Sequence, residues 1–329
     1  MINNLVTTII PVYNRPEQLR EAAASVLAQD HRPIEVIIVD DGSTDGATQE
    51  VARALAVANP GVVRPVVQAN AGPGAAREHG RQLAQGEFIQ YLDSDDLLRP
   101  GKFTAQVQGL RSDPQAGISY GLTLERDEST GVSQATHGTD VMHRKIFPAV
   151  FAERIWHTIT PLYRRAVTDA IGPWSPARIL EDWDYDCRAG LLGVQLHYCA
   201  DVVAIHRLHG GEHAGLAWQH DARSMSDRIQ AYAKVMDYAR QAGLTPTSPE
   251  MQRLVRSVFW MAREAGAAGF PADSQRLFGL ARAAAGDKRG GGMDFRLYAL
   301  AAGIMGWANA GKASVWRDSI RRTHGLQSK

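Results

Sequence analysis

The sequence predicts an α/β protein: a mostly parallel central sheet flanked by helices, followed by a helical C-terminal extension. Three observations carry this. Short apolar runs alternate with segments of helical period as far as about residue 110, the pattern of successive β-α-β units. Those runs end in turns rich in Asp and Gly, as strands do where an open sheet meets its ligand crevice. Beyond Trp218, strand-like runs vanish and Ala, Arg, Leu and Met dominate.

Taken in order, residues 6–12 read as the first strand, ending at Tyr13-Asn14-Arg15-Pro16. Pro16 suits a helix's first turn, Asn14 or Arg15 lies at the cap position, and Leu19, Ala23, Val26 and Leu27 recur at helical spacing. Pro33 breaks the helix. Residues 34–39 form a second strand that runs into Asp40-Asp41-Gly42-Ser43-Thr44-Asp45. Gly42 permits a tight turn, and Ser43, Thr44 or Asp45 caps a helix over 47–58. Residues 62–68 read as a third strand, and Pro65 inside it suggests an edge position. Asn70-Ala71-Gly72-Pro73-Gly74-Ala75-Ala76-Arg77 follows, its glycines allowing close backbone approach, its Arg77 able to reach a phosphate or the region of Asp93.

Gly86 to Leu92 reads as a fourth strand that stops in Asp93-Ser94-Asp95-Asp96, three carboxylates in four positions. Like charges this close become tolerable around a cation, and an oxygen-only set suits a hard divalent ion. The plain alternative is an Asp-rich turn capping the next helix, near 103–110.

Residues 117–124 read as a strand, 125–131 as a polar turn, and 132–145 as a loop with weak periodicity. Residues 156–165 read as a strand entering a helix that ends at Gly172. Glu181-Asp182-Trp183-Asp184-Tyr185-Asp186 places four acids at a helix start, where the dipole favours them. Two short strands, 194–198 and 202–205, precede His206-Arg207-Leu208-His209-Gly210-Gly211-Glu212-His213. Helices follow over 218–242, 249–268, 272–285 and 293–319, separated by Pro and Gly.

Four of these stretches together resemble the family 2 glycosyltransferases of the GT-A fold: Thr8-Ile9-Ile10-Pro11-Val12-Tyr13-Asn14, Ile38-Val39-Asp40-Asp41-Gly42-Ser43-Thr44-Asp45, Asn70 to Arg77, and Tyr91-Leu92-Asp93-Ser94-Asp95-Asp96. The resemblance covers about the first hundred residues. It implies a nucleoside-diphosphate-sugar donor, usually UDP-linked, a Mn²⁺ or Mg²⁺ ion, and transfer to a hydroxyl with inversion, in polysaccharide or glycoconjugate synthesis. Position by position, Pro11 and Tyr13 would flank the base and Asp41 would bond it, with Arg77 near. Asp93 would face the ribose and Asp95 would ligate the metal, while Asn14 and Ser94 complete the donor-binding set. Asp93 and His209 are the further metal ligands it suggests, His209 through an Arg-x-His pattern with Arg207. Asp182 is the expected general base, with Glu181 as runner-up. Trp156, Trp174, Trp183 and Arg207 are the expected acceptor-side residues. A non-catalytic nucleotide-sugar-binding or assembly protein of the same fold is the alternative.

The expected domains are a glycosyltransferase domain over 1–215, with a nucleotide-sugar half at 1–110 and an acceptor half at 111–215, and a helical region over 216–329. With 36 Lys plus Arg against 35 Asp plus Glu, the balance gives no argument for a nucleic-acid partner. Two cysteines, Cys187 and Cys199, and no visible signal peptide suggest the cytoplasm. From residue 281 onward nine Lys or Arg oppose three Asp, a net of +6, accompanied by Trp307 and Trp316. That tail suits either a peripheral contact with an anionic membrane or a helical lid or homo-oligomer contact with a solvated basic face.

Overall fold

The structure, a computed structural model, describes residues 1–136, 138–209, 222–290 and 292–323. The chain divides into two compact units, Met1–Val150 with Arg154–His213, and Phe151–Glu153 with Ala214–Lys329. The expected boundary at 215/216 lies outside the described residues.

In the first unit, β1 (Ile2–Val12), β2 (Ile34–Asp40), β3 (Val63–Val67) and β4 (Gly86–Tyr91) run parallel in the order β3-β2-β1-β4. Val6, Ile9, Ile10 and the threonines Thr7 and Thr8 of β1 are all buried, so both faces of this strand are covered. The covering helices are α1 (Pro16–Leu27), α2 (Ala47–Ala58) and α3 (Pro73–Leu83). On α1 the buried positions Leu19, Ala22, Ala23 and Val26 form a single stripe. Pro65 lies on β3 at the sheet's edge, where its missing N–H costs no ladder bond.

The sheet continues through β8 (Leu162–Arg164), β6 (Ala116–Asp127), β9 (Gln195–Leu208) and β5 (Leu97–Leu98), with β7 (Ser133–Ala135) beside β6. β8 is antiparallel to β4 and β6, while β6 and β9 are parallel to each other. The sheet is thus mixed and mostly parallel. Around it lie α4 (Lys102–Ser112), a short 3₁₀ turn at Ala149–Phe151, α5 (Arg165–Ile171) and α6 (Glu181–Leu191).

Several boundaries differ from the sequence reading. The two strands expected at 194–198 and 202–205 are one, β9, whose register shifts opposite Gly121-Leu122. A bulge absorbs Asp201 without ending the pairing. The strand expected over 156–165 shrinks to Leu162–Arg164. Just before it, the carbonyls of Ile159 and Thr160 accept from the buried Lys102 Nζ instead of a neighbouring strand. The caps also differ. Neither Asn14 nor Arg15 caps α1 with its side chain. Asp45 takes the N–H and hydroxyl of Thr48 just inside α2.

The second unit holds α7 (Ala222–Gln241), α8 (Pro249–Ala267), α9 (Pro271–Ala284), α10 (Gly286–Gly290) and α11 (Met293–Thr323). The start of the helix expected at 218 lies outside the described residues. The helix expected over 293–319 is interrupted at Gly306, whose φ of 80° no helix contains. Phe259, Phe278, Phe295, Tyr298 and Trp307 form an aromatic core, so Trp307 faces inward. Trp316 is exposed. Among the described residues no helix is long and apolar enough to cross a membrane.

Candidate active site

β1 and β2 end level, Val12 beside Asp40, while β4 ends three residues earlier, its Tyr91 beside Ile9 of β1. The loops beyond these ends carry the residues singled out above. Pro11 is buried within β1, while Tyr13 is largely exposed. Asn14, at φ 51°, staples its loop to the next. Its N–H donates to Ser43 Oγ at 2.9 Å, and its Oδ1 accepts from Thr44 N at 2.8 Å.

Asp41 is buried and organises the glycine-rich loop. Its carboxylate accepts from Ala71 N, Gly72 N and Gln68 Nε2, each at 2.8 Å. Gly42 permits this closure, since a Cβ there would lie 2.8 Å from Asn70 N. Gly74 serves a second close approach: a Cβ on it would sit 2.0 Å from the Ser175 carbonyl oxygen. The glycines of the loop therefore do what the sequence suggested, bringing backbones together.

The Asp93–Asp96 turn is held by cations and donors. Arg77 Nη2 bonds Asp93 Oδ1 at 2.6 Å, and Arg15 Nη1 bonds Asp95 Oδ2 at 2.5 Å. Asp96 accepts from Arg207 N at 2.8 Å and pairs with His206 Nδ1 at 3.2 Å. Burial pushes the Asp96 carboxyl up to about 6, against the pull of His206. Burial also opposes ionisation of Asp93, but Arg77 overcomes it and holds this carboxyl below its usual range. Ser94 is buried between them.

Arg77 is the link to the second acidic stretch. Its Nη1 bonds Glu181 Oε1 at 2.6 Å, across 104 residues of chain. One buried guanidinium thus joins the turn after β4 to the first turn of α6. Burial pushes Glu181 up to about 7, with Asp182 adding to the effect and Arg77 opposing it. Asp182 is the more accessible acid, its side chain 23% exposed against 7% for Glu181. Asp182 Oδ2 pairs with Arg154 Nη1 at 2.5 Å, and Oδ1 accepts from Trp183 N at 2.7 Å. α6 starts from Leu180, at φ 58°, a left-handed conformation that costs a non-glycine residue about 1–3 kcal/mol.

Arg154 also bonds the buried Asp186 at 3.1 Å, and Trp156 Nε1 donates to the same carboxylate at 3.2 Å. Burial still pushes Asp186 up to about 6. A carboxyl whose folded value lies above its unfolded 3.8 contributes stability that is present below that value and lost as pH rises towards 6. Relative to Asp186→Asn, the natural chain should therefore lose roughly 3 kcal/mol between about pH 4 and 6. Urea unfolding of both proteins across that range measures this, and a constant difference would refute it.

The four residues expected on the acceptor side are all buried. Trp156 and Trp183 are buried, Trp183 donating to the Val150 carbonyl at 2.6 Å. Trp174 is stacked on Tyr185 at 4.0 Å, with the Arg77 guanidinium 4.9 Å from its centroid. All three rings are buried in this structure. Arg207 is buried too. It pairs with Glu21, donates to the Asp95 carbonyl, and so fastens β9 to α1 and the acidic turn.

Among the histidines, His206 lies against Asp96 of the acidic turn, and His213 lies outside the described residues. His206 stacks on His157 at 4.0 Å, and His157 Nε2 lies 3.2 Å from Glu125 Oε1. Burial first, then His206, pushes His157 down to about 4. Arg15, Arg154, His157 and Asp186 were not given site roles from sequence. Arg154 and His157 carry no periodic or motif signal. They reach the site only because the segment before β8 folds back over it.

For a divalent cation the available donors are carboxylate oxygens, and Asp95 and Asp93 fit a hard ion. The Arg15 and Arg77 guanidiniums neutralise the same oxygens in this structure.

Residues 7–171 match the family described as Glycosyl transferase family 2. An uncharacterized glycosyltransferase of Nostoc sp., alr2836, is 31% identical over 211 residues, 62% of this chain and 65% of that protein. Glycosyltransferase GlyA of Streptococcus pneumoniae is 25% identical over 250 residues, 71% of this chain and 36% of its own. The chain thus spans less than two thirds of the length of these relatives. Among solved structures, Staphylococcus aureus TarS 1–349 in complex with UDP-GlcNAc superposes with a TM-score of 0.57 at 19% identity, over 85% of this chain and 88% of that one. Mannosyltransferase PcManGT from Pyrobaculum calidifontis, in complex with GDP-Man and Mn²⁺, gives 0.56 at 19% identity, over 96% and 86%. At such identities the likeness is one of fold, the GT-A fold.

Proposed function

The chain belongs to glycosyl transferase family 2, and from that premise we propose that it moves a sugar from a nucleoside-diphosphate sugar, UDP-linked, to an acceptor hydroxyl with inversion. The observation that carries this is the Arg77 bridge, which draws Asp93 and Glu181, and with Glu181 its neighbour Asp182, into one acidic cluster beyond the strand ends. Ligands of open α/β sheets bind at that edge. The complexes of the fold relatives with UDP-GlcNAc and GDP-Man are consistent with a donor there.

In this reading Tyr13 and the loop that Asp41 organises receive the base, and Asp93 faces the ribose. The acceptor oxygen bonds to the anomeric carbon as that carbon's bond to the diphosphate oxygen breaks. Asp182 takes the hydroxyl proton, and the nucleoside diphosphate departs with the bonding electrons. Its proton acceptance compensates for a sugar hydroxyl's poor nucleophilicity at neutral pH. Asp95, with Asp93 and His209, would hold Mn²⁺ or Mg²⁺, which when bound neutralises charge growing on the leaving diphosphate. Glu181 is too buried to meet an acceptor and acts by fixing Arg77.

The test is a panel of nucleotide sugars with Mn²⁺, read by thermal shift and by release of nucleoside diphosphate. One donor should raise the melting temperature and be hydrolysed slowly. Asp95→Ala should weaken its Mn²⁺-dependent binding about ten-fold or more, as loss of a charged contact does. Donor binding without any turnover, with or without candidate acceptors, would favour a non-catalytic assembly role. Equal binding by Asp95→Ala would remove Asp95 from the metal site.

A further inference from the structure

We propose that Glu125, His157 and His206 form a binding site for a zinc-type divalent cation, distinct from the cation of the sugar-donor site. Glu125 on β6 and His206 on β9 are register partners on adjacent parallel strands, so the pairing itself sets them side by side. His157, from the segment before β8, completes the group. It stacks on His206 at 4.0 Å and reaches Glu125 at 3.2 Å. One ligand atom from each residue lies within 4.8 Å of the others, close enough for a single ion to gather them with small side-chain movements. Their side chains are 25–27% exposed, so an ion has a way in.

The donor chemistry separates this site from the Asp93–Asp95 turn. Two imidazoles and one carboxylate are the set of an open zinc site, with a fourth position for water. An oxygen-only turn prefers Mg²⁺ or Mn²⁺. The outer partner is also present. Asp96 sits 3.2 Å from His206 Nδ1, the carboxylate contact a metal-bound imidazole commonly keeps on its other nitrogen. The nearby guanidinium of Arg154 is engaged by Asp182 and Asp186, which take up its charge. A cation here would clip the ends of β6 and β9 to the segment carrying His157 and, through Asp96, steady the acidic turn.

Zn²⁺ binding by the chelator-stripped full chain tests this without donor or acceptor, so its outcome is separate from that of the glycosyl-transfer reading. Titration against a chromophoric chelator should find one tight equivalent. His157→Gln, His206→Gln and Glu125→Gln should each weaken it roughly ten-fold or more, while Asp95→Asn leaves it unchanged. Co²⁺ in place of Zn²⁺ should give visible bands that both histidine variants lose. Circular dichroism confirms that each variant is folded. Zn²⁺ affinity equal in wild type and in the His157→Gln/His206→Gln double variant overturns the proposal. So does loss of the tight equivalent in Asp95→Asn, which assigns the ion to the donor site.

Discussion

Asp182→Asn is expected to lower the rate of sugar transfer by about 10²–10⁴-fold, the usual contribution of a general base, with donor binding preserved. Asparagine keeps the oxygen that accepts from Trp183 N, so the first turn of α6 loses no backbone partner. Arg154 retains Asp186 when the Asp182 charge is removed. What disappears is the carboxylate able to take a proton. Asp182 is preferred over Glu181 on accessibility: a base must reach its acceptor, and Glu181 is sealed against Arg77. Steady-state rates and donor affinity, measured on the same preparation, decide the matter. Near-full activity in Asp182→Asn, with an inactive Glu181→Gln, would transfer the role to Glu181.

Arg77→Met is expected to cost roughly 3–5 kcal/mol of stability, the range for breaking a buried ion pair from one side. Methionine fills much of the volume and can lie against Trp174, but it leaves Asp93 and Glu181 without the cation between them. The loss should depend on pH in a defined direction. Arg77 holds the folded Asp93 below its ordinary value, so this part of the stability is present above the unfolded value and lost on acidification. The deficit of Arg77→Met should therefore be largest near neutrality and shrink as pH falls towards 4 and below. Urea unfolding at several pH values measures it. An unchanged midpoint at neutral pH would mean that the bridge contributes nothing net. Arg77→Lys should recover only part of the loss, because one ammonium lacks the forked geometry that serves two carboxylates at once.

The strand-end side of the site was legible because each strand end announces itself locally. An apolar run that stops in Asp41-Gly42 or Asp93-Ser94-Asp95 needs no tertiary knowledge to be placed at the crevice. Gly42 signalled a tight turn and Gly72 and Gly74 close approach, and Gly42 and Gly74 have backbone where a side chain would go. The acceptor side was less legible. Trp156, Trp174 and Trp183 were expected on the acceptor side because an aromatic residue near a predicted site carries no mark of which way it faces. In the folded chain all three are buried.

By itself the sequence determined the α/β class, the edge position of β3, the loops that carry the acids and the family. The first three follow from periodicity and turn chemistry, which act over a few residues, and the family from the resemblance of four motifs. Only the tertiary structure decided which charges meet: Arg77 with both Asp93 and Glu181, Arg15 with Asp95, Arg154 with Asp182 and Asp186, and His157 with His206 and Glu125. Pairing across up to 104 residues depends on strand register and on how loops return over the sheet. An ionic contact is short-ranged in space but carries no period along the chain, so no local pattern encodes it.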